Sequence, residues 1–187
     1  MRNWHHDQMD VDLHLVGAED KPVIANLLQL YLHDFSEFEP RELSTHGTFD
    51  YAWLDSYFTA AADREAYLIA VAGRPVGFAL ARSDEDGDDG AWNVSEFFVA
   101  RAHRRQGVAA QAAHQLFQRH PGPWTLSYLT DNHPASRFWP NLVDTAACGP
   151  VDRREQQPPG AAAPKIRLRF QVSSPQRPQT QIDPLHG

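Results

Sequence analysis

The chain has 187 residues, a formal net charge of −7, 42% hydrophobic and 11% aromatic content. That size and composition suit one domain with a full core, and the acidic balance argues against a basic nucleic-acid face over the whole chain, leaving only the 101–105 cluster as a local one, so no nucleic-acid partner is expected. Cys148 is the single cysteine, which excludes an internal disulfide framework and a cysteine metal cluster.

Met1 to Asp10 is polar and carries adjacent His5 and His6, with no further ligand spaced to complete a metal site. We expect an N-terminal arm over 1–10, and no bound metal. No apolar run approaches the length of a membrane span, and the N-terminus lacks a secretory hydrophobic region, so a cytoplasmic protein with no membrane partner is expected. Residues 11–16 alternate apolar and polar as a half-exposed first strand does. Glu19, Asp20, Lys21 and Pro22 predict a helix start with a capping carboxylate and an early proline. Ile24, Leu27, Leu28, Tyr31, Leu32 and Phe35 continue it as one amphipathic helix.

Residues 34–42 are acidic and aromatic, and a second helix is expected around Tyr51, Trp53, Leu54, Tyr57 and Phe58. Carboxylates beside aromatic rings suit a cationic amine through ion pairing and cation-π attraction. Tyr31, Asp34 and Glu37 are the candidate substrate-binding residues. Residues 67–71 and 76–81 predict a hairpin about Gly73 and Pro75. The run Asp84 to Gly90 lacks the glycine and glutamate positions of a calcium loop, and predicts a solvated turn.

Residues 91–99 combine Trp92, Val94, Phe97, Phe98 and Val99 with one carboxylate, Glu96, as a mostly buried strand would. A cationic turn follows, Arg101 to Gly107, and then apolar residues at helical spacing over 107–120. A helix start with free amides behind arginines is a place for an anion. Gly107, Ala109 and Ala110 admit a bulky ligand close to the backbone. Trp124 to Thr130 alternates as a strand, and Asp131 to Trp139 reads as a capped helix start. Residues 144–148 are expected as a sixth strand and 165–172 as a seventh. Residues 156–164 are a loop by composition, and 173–187 a flexible C-terminal tail.

Two segments resemble motifs of the GNAT superfamily of N-acetyltransferases. Arg104-Arg105-Gln106-Gly107-Val108-Ala109 resembles its Arg/Gln-x-x-Gly-x-Gly/Ala turn, with Val99 at the preceding strand valine. Asn132, Ala135, Phe138 and Trp139 resemble its Asn-x-x-Ala-x-x-Phe-Tyr helix start, except that tryptophan replaces the tyrosine. The resemblance implies a single domain over 11–172 and an α/β fold. Its sheet is mixed, mostly antiparallel, with six to seven strands and about four flanking helices.

It also implies acetyl-CoA as acyl donor, bound by Phe98, Val99, Arg104, Arg105, Gln106, Gly107, Val108, Ala109, Asn132, Ala135, Phe138 and Trp139. The acceptor is a primary amine of a small molecule or peptide, attacking directly in a ternary complex. A protonated alkylamine must lose a proton before it attacks. Glu96, the one carboxylate in an apolar strand, matches a position where some members carry a basic glutamate, and burial would raise its pKa toward use. A backbone N–H near Val99 is the family's donor to the carbonyl oxygen. Trp139 cannot act as the acid for the leaving thiolate. Tyr128, Ser136 or water stands in, or none is needed; Tyr128 is the named candidate. The alternative is a degenerate acyl-CoA-binding regulatory module. A homodimer through the final strand is a further expectation.

Overall fold

The computed structural model describes residues 10–59, 62–83, 90–157 and 163–174. Most of the N-terminal arm, the acidic run 84–89, much of the proline-rich loop and most of the C-terminal tail lie outside the described residues.

The strands are β1 (Val11–Leu15), β2 (Arg64–Val71), β3 (Arg74–Ser83), β4 (Trp92–Val99), β5 (Gly122–Leu129), β6 (Asp152–Gln156) and β7 (Lys165–Val172). They form one sheet in the order β1-β2-β3-β4-β5-β7-β6. Every neighbouring pair is antiparallel except β4 and β5, which run parallel. The helices are α1 (Lys21–Phe35), α2 (Val108–Arg119) and α3 (His133–Ala146).

Sequence periodicity explains which face each helix covers. Ile24, Leu28 and Leu32 recur every fourth residue along α1, and they pack on Phe78, Leu80 and Phe98 of β3 and β4. On the opposite face, Val108, Ala112, Leu116 and Phe117 of α2 and Leu142 and Val143 of α3 bury against Trp124, Leu126 and Phe170. Each large apolar side chain removed from water contributes about 1.5–3 kcal/mol, so these two layers hold the sheet between them.

Four expectations are corrected. The second helix is a short 3-10 turn, Leu54–Phe58, leaving three α-helices rather than about four. Leu54 and Tyr57 are buried there while Trp53 is 65% exposed, so a single turn suffices to seat both. Asp20 stands at the start of α1 without a side-chain capping bond. Pro140 lies inside α3 without ending it, so residues 144–146 are helical. The sixth strand is Asp152–Gln156, exposed throughout and held by its pairing with β7.

Two local features set the geometry of the centre. Between β3 and β4, Leu80 pairs with Glu96 and Ala81 with Val94, which leaves Ser95 as a bulge. Simple alternation from Val94 would turn Glu96 toward α2 and α3; the extra residue turns it toward α1. One strand over, a Cβ on Gly77 would lie 2.1 Å from the Phe98 carbonyl oxygen, so only glycine lets β3 approach β4 there.

Candidate active site

The parallel pairing of β4 with β5 covers only Trp92–Trp124, Asn93–Thr125 and Val94–Leu126. Both strands continue, to Val99 and Leu129, but without pairing to each other, so the sheet splits. On one side of the split lie Phe97, Phe98 and Val99, and on the other Tyr128. Trp139 of α3 packs edge-on to Phe97 at 5.3 Å and Phe138 stacks on it at 6.3 Å. Trp139 is buried. The Tyr128 hydroxyl is also buried, and among the described residues it has no hydrogen-bond partner.

At the end of β4 the chain makes a short 3-10 turn, Arg101–His103, and enters α2 through Gly107. Gly107 has φ +82°, in the left-handed region, and Arg105 has φ +59°. No side chain caps α2, so its first amides are left for solvent or an anion. A Cβ at Gly107 would meet only Gln111 Nε2, at 3.6 Å. Ala109 and Ala110 behind it are small and partly buried. Uncapped amides, an open glycine, small neighbours and an adjoining split in the sheet fit the diphosphate and extended arm of CoA.

The basic residues of this turn have distinct partners. Arg104 donates from Nε to the Val99 carbonyl at 2.7 Å and from its terminal nitrogen to Asp34 at 2.6 Å, with its guanidinium 5.5 Å from the Phe98 ring centre. Arg101 pairs with the same Asp34 at 2.7 Å. Burial pushes the Asp34 carboxyl up, but the bonds from Arg101 and Arg104 outweigh it and hold the pKa below the ordinary value. Arg105 is exposed. Gln106 donates to the Ala102 carbonyl at 2.7 Å. Asn132 caps α3, its side chain accepting from the Ala135 N–H at 3.1 Å. Asp34 is therefore joined to the turn, and Glu37 is exposed beside it.

The carboxylate of Glu96 accepts from Tyr31 at 2.5 Å and from Tyr51 at 3.0 Å. Burial raises its pKa, and the two hydroxyl donors offset only part of that rise. Burial, then the Glu96 charge, pushes both tyrosines up, so they remain donors at neutral pH. Tyr31 sits among rings, 5.4 Å from Phe35 and 5.9 Å from Phe78. The sequence placed Tyr31 and Glu96 among the site residues but missed the contact of Tyr51 with Glu96. Tyr51 looked like part of a helix face, and nothing in the sequence marks a contact between residues 45 positions apart.

Among the described residues no group of His, Cys, Asp and Glu is arranged to hold a metal ion, and no helix is long and apolar enough to cross a membrane.

Comparison with curated proteins returns no match. Among solved structures, an acetyltransferase from Thermus thermophilus is similar with a TM-score of 0.60 at 17% identity, over 88% of this chain and 98% of that one. The aminoglycoside acetyltransferase AAC(6')-Ib in complex with coenzyme A gives 0.60 at 15%, over 87% and 95%. Arabidopsis thaliana NAA60 with a bisubstrate analogue gives 0.57 at 11%, over 89% and 100%. At such identities the likeness is one of fold. The sequence itself matches the acetyltransferase (GNAT) family model over residues 24–142. The chain thus belongs to the GNAT family of acetyltransferases, enzymes that take their acetyl group from acetyl-CoA.

Proposed function

We propose that residues 11–172 act as one N-acetyltransferase domain that moves an acetyl group from acetyl-CoA to a primary amine of a small molecule or peptide, by direct attack in a ternary complex. The observation that carries this reading is Glu96, a carboxylate turned by the Ser95 bulge toward α1 and steadied by Tyr31 and Tyr51. Bound acetyl-CoA supplies an activated thioester carbonyl. The amides at the start of α2 and the exposed Arg105 receive its diphosphate, and Phe97, Phe138 and Trp139 line the split for its arm. Arg104 holds the Val99 carbonyl and so steadies the end of β4, where a backbone N–H near Val99 donates to the thioester oxygen.

Glu96 takes the proton of the incoming amine, a role helped by a pKa raised toward the working pH. The C–N bond forms as the C–S bond breaks, and a proton passes from the Tyr128 hydroxyl to sulfur. The second N–H proton leaves the new amide nitrogen through water, which restores the tyrosine proton, and Glu96 releases its own proton to solvent. Tyr128 suits this task because its hydroxyl has no competing partner among the described residues.

One observation favours a second reading, a CoA-binding regulatory module without turnover. Trp139, at the motif's tyrosine, is buried against Phe97 and is no acid. Titration with acetyl-CoA, followed by a thiol-release assay over a panel of amines, separates the two. Binding with release on adding an amine supports the enzyme; binding without release for any amine supports the module.

A further inference from the structure

Two of the acidic residues at the end of α1 are already committed. Asp34 serves Arg101 and Arg104. Glu39 serves two cations, Arg41 at 3.3 Å and Lys165 at 3.4 Å. Lys165 opens β7 opposite Leu129, the last residue of β5, so the Glu39–Lys165 pair joins the segment after α1 to the far half of the sheet. Arg41 lies 6.0 Å from the centre of the Phe35 ring, and Phe35 is 5.4 Å from Tyr31, which bonds Glu96.

Both Glu39 pairs are longer than the roughly 2.7–2.9 Å of a good charge-assisted bond. Because one carboxylate is divided between the two cations, neither has a short ion-pair partner of its own among the described residues. Arg41 and Lys165 are about one-third exposed, at 34% and 35%, and so accessible to a ligand. The same two residues are the cations that act on the Glu96 charge, and Arg41 also acts on Tyr31 and Tyr51. Two cations beside Glu96 favour a ligand that brings a carboxylate of its own over a purely cationic polyamine.

We infer that the acceptor is an amino acid-like molecule, whose amine faces Glu96 while its carboxylate is received by Arg41 and Lys165. The carboxylate gives the two cations the second partner that Glu39 cannot be to both. Phe35 and Phe38, 6.1 Å apart, offer an apolar wall for its side chain. This deepens the acetyltransferase reading and rests on Glu96 as the base.

The test is calorimetric titration of the full chain, with and without CoA, using N-acetylphenylalanine and its carboxamide as product analogues. The acid is expected to bind about tenfold or more tightly than the amide. Arg41→Gln and Lys165→Gln should each reduce that preference to about twofold while leaving CoA affinity unchanged. Equal binding of acid and amide to the wild type, binding of neither, or a preference untouched by both substitutions overturns the inference. Failure of CoA itself to bind would instead defeat the acetyltransferase reading, and the comparison without CoA would still decide the subsite.

Discussion

The Tyr31 hydroxyl donates to Glu96 Oε2 at 2.5 Å, linking α1 to β4 across 65 residues of chain. With Tyr51 on the other oxygen, the carboxylate is fixed in place with no cation among the described residues bonded to it. Glu96→Gln is expected to lower kcat by about 10²- to 10⁴-fold, the usual worth of a general base, with acetyl-CoA affinity kept. Because burial raises the Glu96 pKa above its ordinary 4.5, the wild-type rate should fall as pH drops through that raised value. Steady-state kinetics across pH should show this acid limb in the wild type and not in the variant.

Tyr128 permits a test in which stability and rate move in opposite directions. Its buried hydroxyl has no partner among the described residues, and a buried unsatisfied polar group costs about 1–3 kcal/mol. Tyr128→Phe should therefore leave the fold as stable or raise its melting temperature, while kcat falls about 10-fold or more if the hydroxyl protonates sulfur. A variant of unchanged kcat would remove Tyr128 from the chemistry. Calorimetry and stopped-time thiol release read the two effects separately.

At the entrance to α2, Gly107 combines a φ of +82° with an exposed position. Gly107→Glu adds backbone strain of about 1 kcal/mol and a negative charge where the diphosphate is expected. Acetyl-CoA affinity should fall by at least about 30-fold, roughly 2 kcal/mol. Gly107→Ala adds the strain without the charge and should lose far less. Titration of both variants separates charge from conformation.

Asp34 carries a signature in pH. Its folded-state pKa is depressed below the ordinary 3.8, so its contribution is fully present above that value and lost as pH falls through the folded pKa. Asp34→Asn should destabilise the protein at pH 7 by about 1–3 kcal/mol. Most of this comes through Arg104, because Arg101 is 69% exposed and screened by solvent. Denaturant melts at pH 7 and near pH 3 should show the gap between variant and wild type closing at the acid end.

Much of the fold was legible because its elements obey simple periods. Alternation over 165–172 marked β7 to the residue, and the apolar strand, arginine turn and small-residue helix over 91–120 marked the centre. Segments whose structure depends on neighbours were not. The sequence Asp152–Gln156 has no apolar residue, and it becomes a strand because β7 presents an outer edge to pair with. The run 51–58 held apolar residues at near-helical spacing, yet a single turn buries the two that need it. In the site, residue types were readable and orientation was not. The sequence does not announce the Ser95 bulge, and without it strand alternation from Val94 turns Glu96 to the wrong face. Asp34, read as an amine binder, has cationic partners far along the chain, which no local pattern announces.

The three-pair seam between β4 and β5 makes the seven-stranded sheet two plates, four strands on one side and three on the other. Few backbone bonds resist their separation, so much of the resistance falls to α2 and α3, packed beneath, and to the Glu39–Lys165 tie above. A ligand lodged between the plates touches both and acts as a splint. The fold thereby couples occupancy to rigidity: whatever fills the cleft also completes the wall that the chain leaves unfinished.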